Sequence, residues 1–268
     1  MTAVLIRKAY ADCSAGQIHY RYVPGEGTPI VFFQQTASSS RMYEKVMQQL
    51  PPGRPLYALD TPGFGGSFDP PSQPTMAQYA DWMLEAIDAI GLQRFHIFGH
   101  HTGACLAVEL GVRHAARVAS LMMVGPLPLT PEERREFSLH FGAPIAPTAD
   151  GSYLKATWDY LATLGAHHDL ELHHRELVDT TRAWLGRSMA YKAVWDQDWA
   201  ALFAAVRCPM LLLCATDDVL FPYFERAKGL RPDATAVVIK GANFEPDLDA
   251  AGTVAAMVGF LAGAGREA

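Results

Sequence analysis

Short apolar runs of strand length, separated by segments with helical spacing, constrain this chain more than any other feature. Runs at residues 29–33, 56–59 and 118–124 are almost wholly apolar and do not alternate with polar residues. Such runs are expected in parallel strands that helices cover on both faces. Residues 75–90 repeat apolar side chains at helical spacing and stop at Gly91. The sequence therefore predicts an α/β fold, with a mostly parallel, roughly eight-stranded sheet and helices on both faces.

The alternation of predicted strands and helices stops between residues 127 and 207. This segment contains helical stretches and many aromatic residues, but no clear buried strand. We therefore predict a helical lid at 127–207, inserted into a core formed by residues 1–126 and 208–268. A pocket under such a lid favours a small, partly hydrophobic or aromatic ligand, and Trp158 is a predicted contact.

Composition excludes several classes of function. Half of the 268 residues are hydrophobic. The net charge of −6 does not favour binding to nucleic acid, which is itself negatively charged. No run of Lys or Arg indicates an anionic membrane surface, and no uncharged apolar stretch approaches the roughly 18 residues of a membrane span. The four cysteines form no CxxC pair, and the first residues lack a long apolar signal segment. These patterns predict a cytoplasmic protein with reduced thiols.

Residues 99–103, GHHTG, lie where a predicted strand meets a helix of small residues. A side chain held on such a sharp turn needs small neighbours because the backbone is strained. Gly99 and Gly103 provide that room. The side chain of His101 is therefore expected to project into a pocket, close to the N-terminal amides of the helix.

Two further landmarks follow in order, the loop at 60–67, DTPGFGGS, and the tail at 241–244, GANF. With the strand–helix turn and the helical insertion, they make nearly the whole chain resemble the α/β-hydrolase superfamily. The resemblance is to its lid-bearing group, which includes epoxide hydrolases, haloperoxidase-like esterases and C–C hydrolases. It implies a cofactor-independent enzyme that acts on a small molecule, with no metal.

The chain departs from that family at two catalytic positions. His101 stands where the family has Ser, Asp or Cys, and Asn243 stands where it has the basic histidine. An amide offers no proton-accepting nitrogen, so Asn243 cannot be a general base. The family's acid falls at Asp218, with Asp217 as the adjacent alternative.

Side-chain lengths indicate how the remaining groups are arranged. An imidazole is longer than a serine side chain, so a ring nitrogen of His101 can reach Asn243 or Asp218. A carboxylate partner would orient the ring and leave its other nitrogen for the substrate. His101 is then predicted to act as a general base or, less favourably, as a nucleophile. A histidine in a protein that only binds its ligand stays an open alternative.

The resemblance also implies where an oxyanion would bind. One amide would come from Thr102, and the second from Thr36 or Gln35 in the loop after the first buried strand. The predicted substrate contacts are completed by Gln34, Gln35 and His100, beside Trp158. Gln34 and Gln35 have an equally supported alternative role, which is to hold that loop in place.

Residues 167–174, HHDLELHH, suggest a different site. On one helix, His167, Glu171 and His174 would share a face and could ligate a divalent metal. The spacing matches no recognised zinc signature, so no metal site is predicted.

The leading functional prediction is hydrolysis of an ester, a lactone or a C–C bond by His101. The runner-up is proton transfer without hydrolysis, as in a lyase, decarboxylase or cyclase, and the third is a non-catalytic binding module. The expected partner is a small-molecule substrate, with no nucleic acid and no membrane. A homodimer is left open.

Overall fold

A computed structural model describes residues 4–141 and 143–264 of the chain. Eight strands form one sheet in the order β1-β2-β4-β3-β5-β6-β7-β8. The strands are β1 Arg7–Cys13, β2 Gly16–Val23, β3 Ile30–Phe33, β4 Leu56–Leu59, β5 Phe95–His100, β6 Val118–Val124, β7 Met210–Ala215 and β8 Thr235–Ile239. β2 pairs antiparallel with β1 and β4, and all other neighbours are parallel. The predicted fold class is confirmed.

Eleven α-helices lie in the described part of the chain. They are α1 Glu44–Gln49, α2 Met76–Ile90, α3 Thr102–Arg113, α4 Pro131–Phe141, α5 Ser152–Thr163, α6 Leu170–Arg182, α7 Trp184–Asp196, α8 Trp199–Ala205, α9 Phe224–Leu230, α10 Glu245–Leu248 and α11 Ala250–Ala264. None of these described helices has the length and apolar character needed to cross a membrane.

The central strands are buried because helices pack on both of their faces. In β3, Val31 and Phe33 join a hydrophobic cluster with residues of α2 and α3, whereas Ile30 and Phe32 join a cluster with residues of α1 and α11. Alternate side chains of a strand point to opposite faces, so an uninterrupted apolar run is what two covered faces require. The carboxyl ends of β3, β5, β6 and β7 then open at one edge of the sheet, which is where ligand sites form in such folds.

Helix α2 begins and ends as its sequence indicates. The Thr75 hydroxyl accepts from the backbone N–H of Gln78, and the Gln78 side chain accepts from the backbone N–H of Thr75. This reciprocal pair satisfies two N–H groups that the helix leaves unpaired. Gly91 ends the helix at φ 88°, a conformation that glycine adopts without strain.

Five helices, α4 to α8, lie between β6 and β7, inside the segment predicted as a lid. Hydroxyls of the loop after β3 tie α6 of this insertion to the sheet. Ser38 Oγ donates to Glu176 (2.6 Å), and Ser39 Oγ donates to Asp179 (2.7 Å). Arg175 then links Glu176 (2.7 Å) to Asp247 (2.6 Å) near the end of the chain. The division into core and lid itself stays a prediction.

This connection predicts a pH-dependent stability. Burial, followed by the charge of Glu176, raises the pKa of Asp179 to about 7. An acid with a raised folded-state pKa binds its proton more tightly when folded, so its contribution to stability declines as pH rises from about 4 to about 7. Asp179→Asn keeps an acceptor for Ser39 but carries no charge. We expect this variant to be about 1–2 kcal/mol more stable than the wild type at pH 8.

The difference should vanish only below about pH 4, where the Asp179 carboxyl is protonated in both the folded and the unfolded chain. Chemical denaturation at about pH 3.5 and at pH 8 measures it. Equal stabilities of variant and wild type at pH 8 would show that the Asp179 carboxyl is not destabilising in its charged form.

Candidate active site

The turn between β5 and α3 holds His101 in a strained conformation. Its backbone has φ 47° and ψ −104°, in the region that favours glycine. A Cβ on Gly99 would lie 2.3 Å from the carbonyl oxygen of Gly103, and one on Gly103 would lie 2.0 Å from that of Phe33. Both glycines are therefore required by backbone contacts. The sharp strand-to-helix turn predicted at 99–103 is present.

The His101 imidazole contacts a buried carboxylate. Its Nε2 lies 2.7 Å from Oδ2 of Asp218, and the other carboxylate oxygen accepts from the backbone N–H of Leu220 (2.6 Å). The His101 side chain is 13% exposed, whereas that of Asp218 is fully buried. Asp217, the alternative partner, instead accepts from the backbone N–H of Ala242 (3.1 Å). Of the two adjacent acids, Asp218 is the one that bonds the ring.

The contact with Asp218 fixes the protonation pattern of the His101 ring. A carboxylate only accepts, so Nε2 must carry a hydrogen, and in the neutral ring Nδ1 then keeps its lone pair. His101 lines the adjacent cavity. Nδ1 is thus the nitrogen left to accept a proton from a bound molecule.

Gly125 makes room for the His101 ring at the end of β6. A Cβ at this glycine would lie 2.1 Å from Cδ2 and 2.4 Å from Nε2 of His101. Gly125 also has φ 63°, which disfavours other residues. The position of the imidazole therefore depends on a glycine that the sequence analysis did not single out.

Gly125→Ala is expected to lower kcat/KM roughly ten- to a hundredfold, because a methyl group displaces the ring from Asp218. Gly151→Ala is the matched control. Gly151 has a similar φ of 74°, but a Cβ there would meet nothing within 4 Å. Both variants should lose about 1 kcal/mol of stability from backbone strain. Assay of turnover and melting temperature separates the effects, and equal activity in both variants would contradict this role of Gly125.

A small cavity of about 50 Å³ lies beside His101. Polar residues cluster at one side of it, and apolar and aromatic residues form the rest. The polar set is Gln35, Thr36, His101, Thr102 and Asn243, and the remainder is Leu127, Phe137, Phe141, Tyr160, Leu164, Tyr191, Val194, Trp195, Val219 and Leu220. Within the ranges that the structure describes, no Lys, Arg, Asp or Glu lines the cavity.

Comparison with known proteins gives the family. A model of the alpha/beta hydrolase fold matches residues 28–246. The chain belongs to this family. The matched range includes the strand–helix turn at 99–103, the five helices between β6 and β7, and residues 241–244.

Two relatives match part of the chain in sequence. "Putative carbamate hydrolase RutD" from Klebsiella pneumoniae (strain 342) is 33% identical over 178 residues, which span 62% of this chain and 65% of that protein. "2-hydroxymuconate semialdehyde hydrolase" from Pseudomonas putida is 28% identical over 158 residues, or 58% of this chain and 50% of that protein. The matched segment thus covers less than two thirds of either relative.

Solved structures match over a larger share of the chain. The enol-lactonase from Burkholderia xenovorans LB400 superposes with a TM-score of 0.79, at 19% identity, over 95% of this chain and all of that chain. E-2-(acetamidomethylene)succinate hydrolase has a TM-score of 0.77, also at 19% identity, over 96% of this chain. At such identities these likenesses show the alpha/beta hydrolase fold alone.

Asn243, which the sequence resemblance aligns with the family's histidine, lines the cavity. Its backbone carbonyl accepts from Nε2 of Gln35 (2.9 Å), which fixes the loop. The His101 ring bonds Asp218 and not Asn243 among the described residues. Of the two partners predicted for His101, only the carboxylate is engaged.

The two threonines predicted to flank an oxyanion meet at the cavity. Oγ1 of Thr36 lies 2.8 Å from Oγ1 of Thr102, and both residues line the cavity. Their hydroxyls are thus occupied with each other. The roles of the Thr36 and Thr102 backbone amides stay a prediction.

Three predicted substrate contacts do not reach the cavity. His100 is fully buried beneath the turn, because neighbouring residues of a strand point to opposite sides. The Gln34 amide spans the Leu59 carbonyl (2.8 Å) and the Thr61 N–H (3.0 Å), so it holds its loop in place. Trp158 stacks on His173 of α6, with ring centroids 3.6 Å apart. Tyr160, which lies in α5 together with Trp158, lines the cavity instead.

Residues 167–174 do not form the single helix considered from the sequence. α6 begins at Leu170, and His167 belongs to a separate 3-10 turn at Ala166–His168. Asp169 caps α6 by accepting from the backbone N–H groups of Glu171 and Leu172. His167, Glu171 and His174 therefore do not share one helix, because the Asp169 cap interrupts the segment.

A buried carboxyl lies behind Asp218. Burial, followed by the charge of Asp218, raises the pKa of Glu245 well above its ordinary value. Burial also lowers the pKa of His100 well below its ordinary value. Both shifts favour the neutral form of the side chain. Glu245 was not among the predicted site residues, although it directly follows the motif at 241–244.

Proposed function

We propose that this protein is a hydrolase that splits a small carbonyl compound with a water molecule activated by His101. The substrate bond is an ester, a lactone or a C–C bond next to a carbonyl. The observation that carries the proposal is the 2.7 Å contact between His101 Nε2 and Asp218 at a strained turn beside a cavity. An oriented imidazole with one free nitrogen is a suitable general base.

The proposed reaction needs no covalent intermediate. Nδ1 of His101 takes a proton from water while the water oxygen attacks the carbonyl carbon, and the carbonyl electron pair moves onto its oxygen. The amide of Thr102, with that of Thr36 or Gln35, donates to this oxyanion. The oxyanion then collapses, the bond to the leaving group breaks, and the imidazolium returns the proton to that group. Asp218 stabilises the imidazolium in between.

A nucleophilic role of His101 is less well supported. An acyl-imidazole would need a second group to activate the water that releases the acyl chain. Asn243 stands where the family has that base, and its amide cannot accept a proton. We therefore assign the general-base role to His101.

We propose that the substrate is uncharged and carries an aromatic or other apolar group. The cavity wall described above offers aromatic side chains, including Tyr191 and Trp195, whose rings are parallel within 4°. A carboxylate placed there would lose water without gaining a cationic partner, which is costly. The roof of the cavity comes from α4, α5 and α7, which supports the division into a lid at 127–207 and a core at 1–126 and 208–268.

The test is turnover in ¹⁸O-labelled water with neutral aryl esters and lactones. One labelled oxygen should enter the acid product in a single turnover, without any labelled protein. Fluorophosphonate probes for activated serines should not react. A neutral ester should exceed its carboxylated analogue by at least about tenfold in kcat/KM, because the charge must be desolvated. A trapped acyl-serine or acyl-histidine would overturn the mechanism.

Proton transfer without hydrolysis is the second candidate. In the described ranges, the His101 side chain bonds a carboxylate and no hydroxyl or thiol nucleophile, and one base suffices for such chemistry. Product that gains solvent deuterium at carbon, but no ¹⁸O, would favour this candidate. Saturable ligand binding with no product at all would favour a binding module.

A cytoplasmic location is also proposed, because all four cysteines are free. A homodimer remains an open proposal. Analytical ultracentrifugation of the full chain addresses it.

A further inference from the structure

Glu245 lies directly behind the contact between His101 and Asp218. It begins α10, and both its side chain and that of His100 are fully buried. Its Oε2 lies 3.1 Å from Nε2 of His100, and its Oε1 accepts from the backbone N–H of Ala215 (3.2 Å). A carboxylate oxygen of Glu245 lies within 4.8 Å of one of Asp218.

Two buried carboxyls this close cannot both be charged at neutral pH, because their repulsion is unscreened. Asp218 has the better environment for the charge, since it accepts from His101 and from the backbone N–H of Leu220. Glu245 has one such donor, the backbone N–H of Ala215. The pair therefore holds one negative charge, on Asp218, and the shared proton belongs to Glu245.

The remaining titratable groups around Glu245 leave this assignment unchanged. Cys214 of β7 lies within 4.8 Å of both carboxyls, and burial, followed by the charge of Asp218, raises its pKa. Burial, followed by the charge of Asp247, also raises the pKa of Tyr43 well above its ordinary value. Both are therefore uncharged at neutral pH, like His100.

We propose that Glu245 is a positioning residue that, as a neutral acid, donates its proton to Asp218 while its Oε2 lies against Nε2 of His100. The resulting chain runs from His100 through Glu245 and Asp218 to His101. It fixes the carboxylate that in turn orients the imidazole. The inference rests on the proposed role of His101 as a base.

The tautomer of His100 agrees with this direction of the chain. Among the described residues, neither ring nitrogen of His100 forms an ordinary hydrogen bond, and Nδ1 has no neighbour that could serve. A buried N–H without a partner is costlier than a buried lone pair, because donors are rarely left unpaired. The hydrogen therefore belongs on Nε2, which faces Glu245.

Two substitutions test the proposal through the pH–rate profile. Glu245→Gln retains a neutral donor, so kcat should stay within about threefold and the acid limb should not move. Glu245→Leu removes the donor, which makes Asp218 a stronger partner for a protonated imidazole. The acid limb of the pH–rate profile of Glu245→Leu should move to higher pH by about half to one unit, and kcat should fall about tenfold.

The matched control is Glu109→Leu. Glu109 is also buried, but it accepts from Gln197 and lies away from the site. Its substitution should leave the acid limb in place. A downward shift of the limb in Glu245→Gln would mean that a charge was removed, which overturns the proposal. Identical profiles for the Gln and Leu variants would overturn it as well.

A readout without turnover separates this proposal from the proposed function. Carbon-13 NMR of selectively labelled wild-type protein should report a protonated Glu245 carboxyl at pH 7. The chemical shift of the proton on Nε2 of His101 should change in Glu245→Leu and stay unchanged in Glu109→Leu. If Glu245→Leu does not fold, the proposal is tested by the carboxyl resonance of the wild-type protein and by the pH–rate profile of Glu245→Gln. An ionised Glu245 overturns the proposal, whereas a protonated Glu245 in a protein without turnover refutes only the hydrolase function.

Discussion

Replacing His101 with alanine is expected to lower kcat/KM by about 10²–10⁴-fold, the contribution of a positioned general base. Ligand affinity should change by less than about tenfold, because the cavity retains its aromatic wall and its other polar groups. Steady-state kinetics on a neutral aryl ester, with calorimetric binding of its product, measures both quantities. A loss confined to kcat would identify a group that acts in the transition state.

His140→Ala is the control for this experiment. His140 is exposed on α4 and does not line the cavity, so its removal should leave the kinetics unchanged. Unaltered turnover in His101→Ala would make His101 a bystander. A tenfold or larger loss of affinity with unchanged kcat would instead make it a binding residue.

Asp218→Asn should have the second-largest effect, a loss of about 10²–10³-fold in kcat. An amide next to Nε2 can donate to it, which places the imidazole hydrogen on Nδ1 and removes the lone pair that accepts the proton. The negative charge that stabilises the imidazolium is lost at the same time. Nitrogen-15 NMR of His101 should show the change of tautomer in the variant.

Asp217→Asn provides a matched comparison one residue away. Asp217 bonds the backbone of Ala242 and not the imidazole, so its variant should keep at least about a third of the wild-type kcat. Loss of activity in Asp217→Asn, with activity retained in Asp218→Asn, would reverse the assignment of the acid. Equal losses in both would indicate a general disturbance of the loop after β7.

Much of the fold follows from sequence because its signals are local. The apolar run at Val118–Val124 matches a strand residue for residue, and Gly91 ends α2 as expected. Short helices such as α1 and α9 were not predicted. Each has six or seven residues, too few for a periodic pattern, and they form because they pack against the sheet.

The site was only partly predictable for a related reason. The contact between His101 and Asp218 could be predicted because a turn and a strand end place the two residues by backbone geometry alone. Gln34, His100 and Trp158 were misplaced because their direction depends on local rotation of a loop, a strand and a helix. Nothing in the sequence around Trp158 distinguishes the side that packs on His173 from the side that faces the cavity.

Gly125 and Glu245 were missed because their roles arise from distant partners. Gly125 ends a strand, where glycine is common, and its importance appears only when the His101 ring is seen against it. Glu245 resembles any acid in the first turn of a helix. Its burial beside Asp218 depends on how β7 and α10 meet, which no local pattern encodes.

The imidazole that reaches from the β5–α3 turn to Asp218 also restricts how this lineage can evolve. His101→Ser alone leaves a hydroxyl without a base, and Asn243→His alone brings a second ring toward a carboxylate that is already bonded. Neither single step produces a serine hydrolase. Serine chemistry would therefore require both substitutions together, because either intermediate lacks a complete relay.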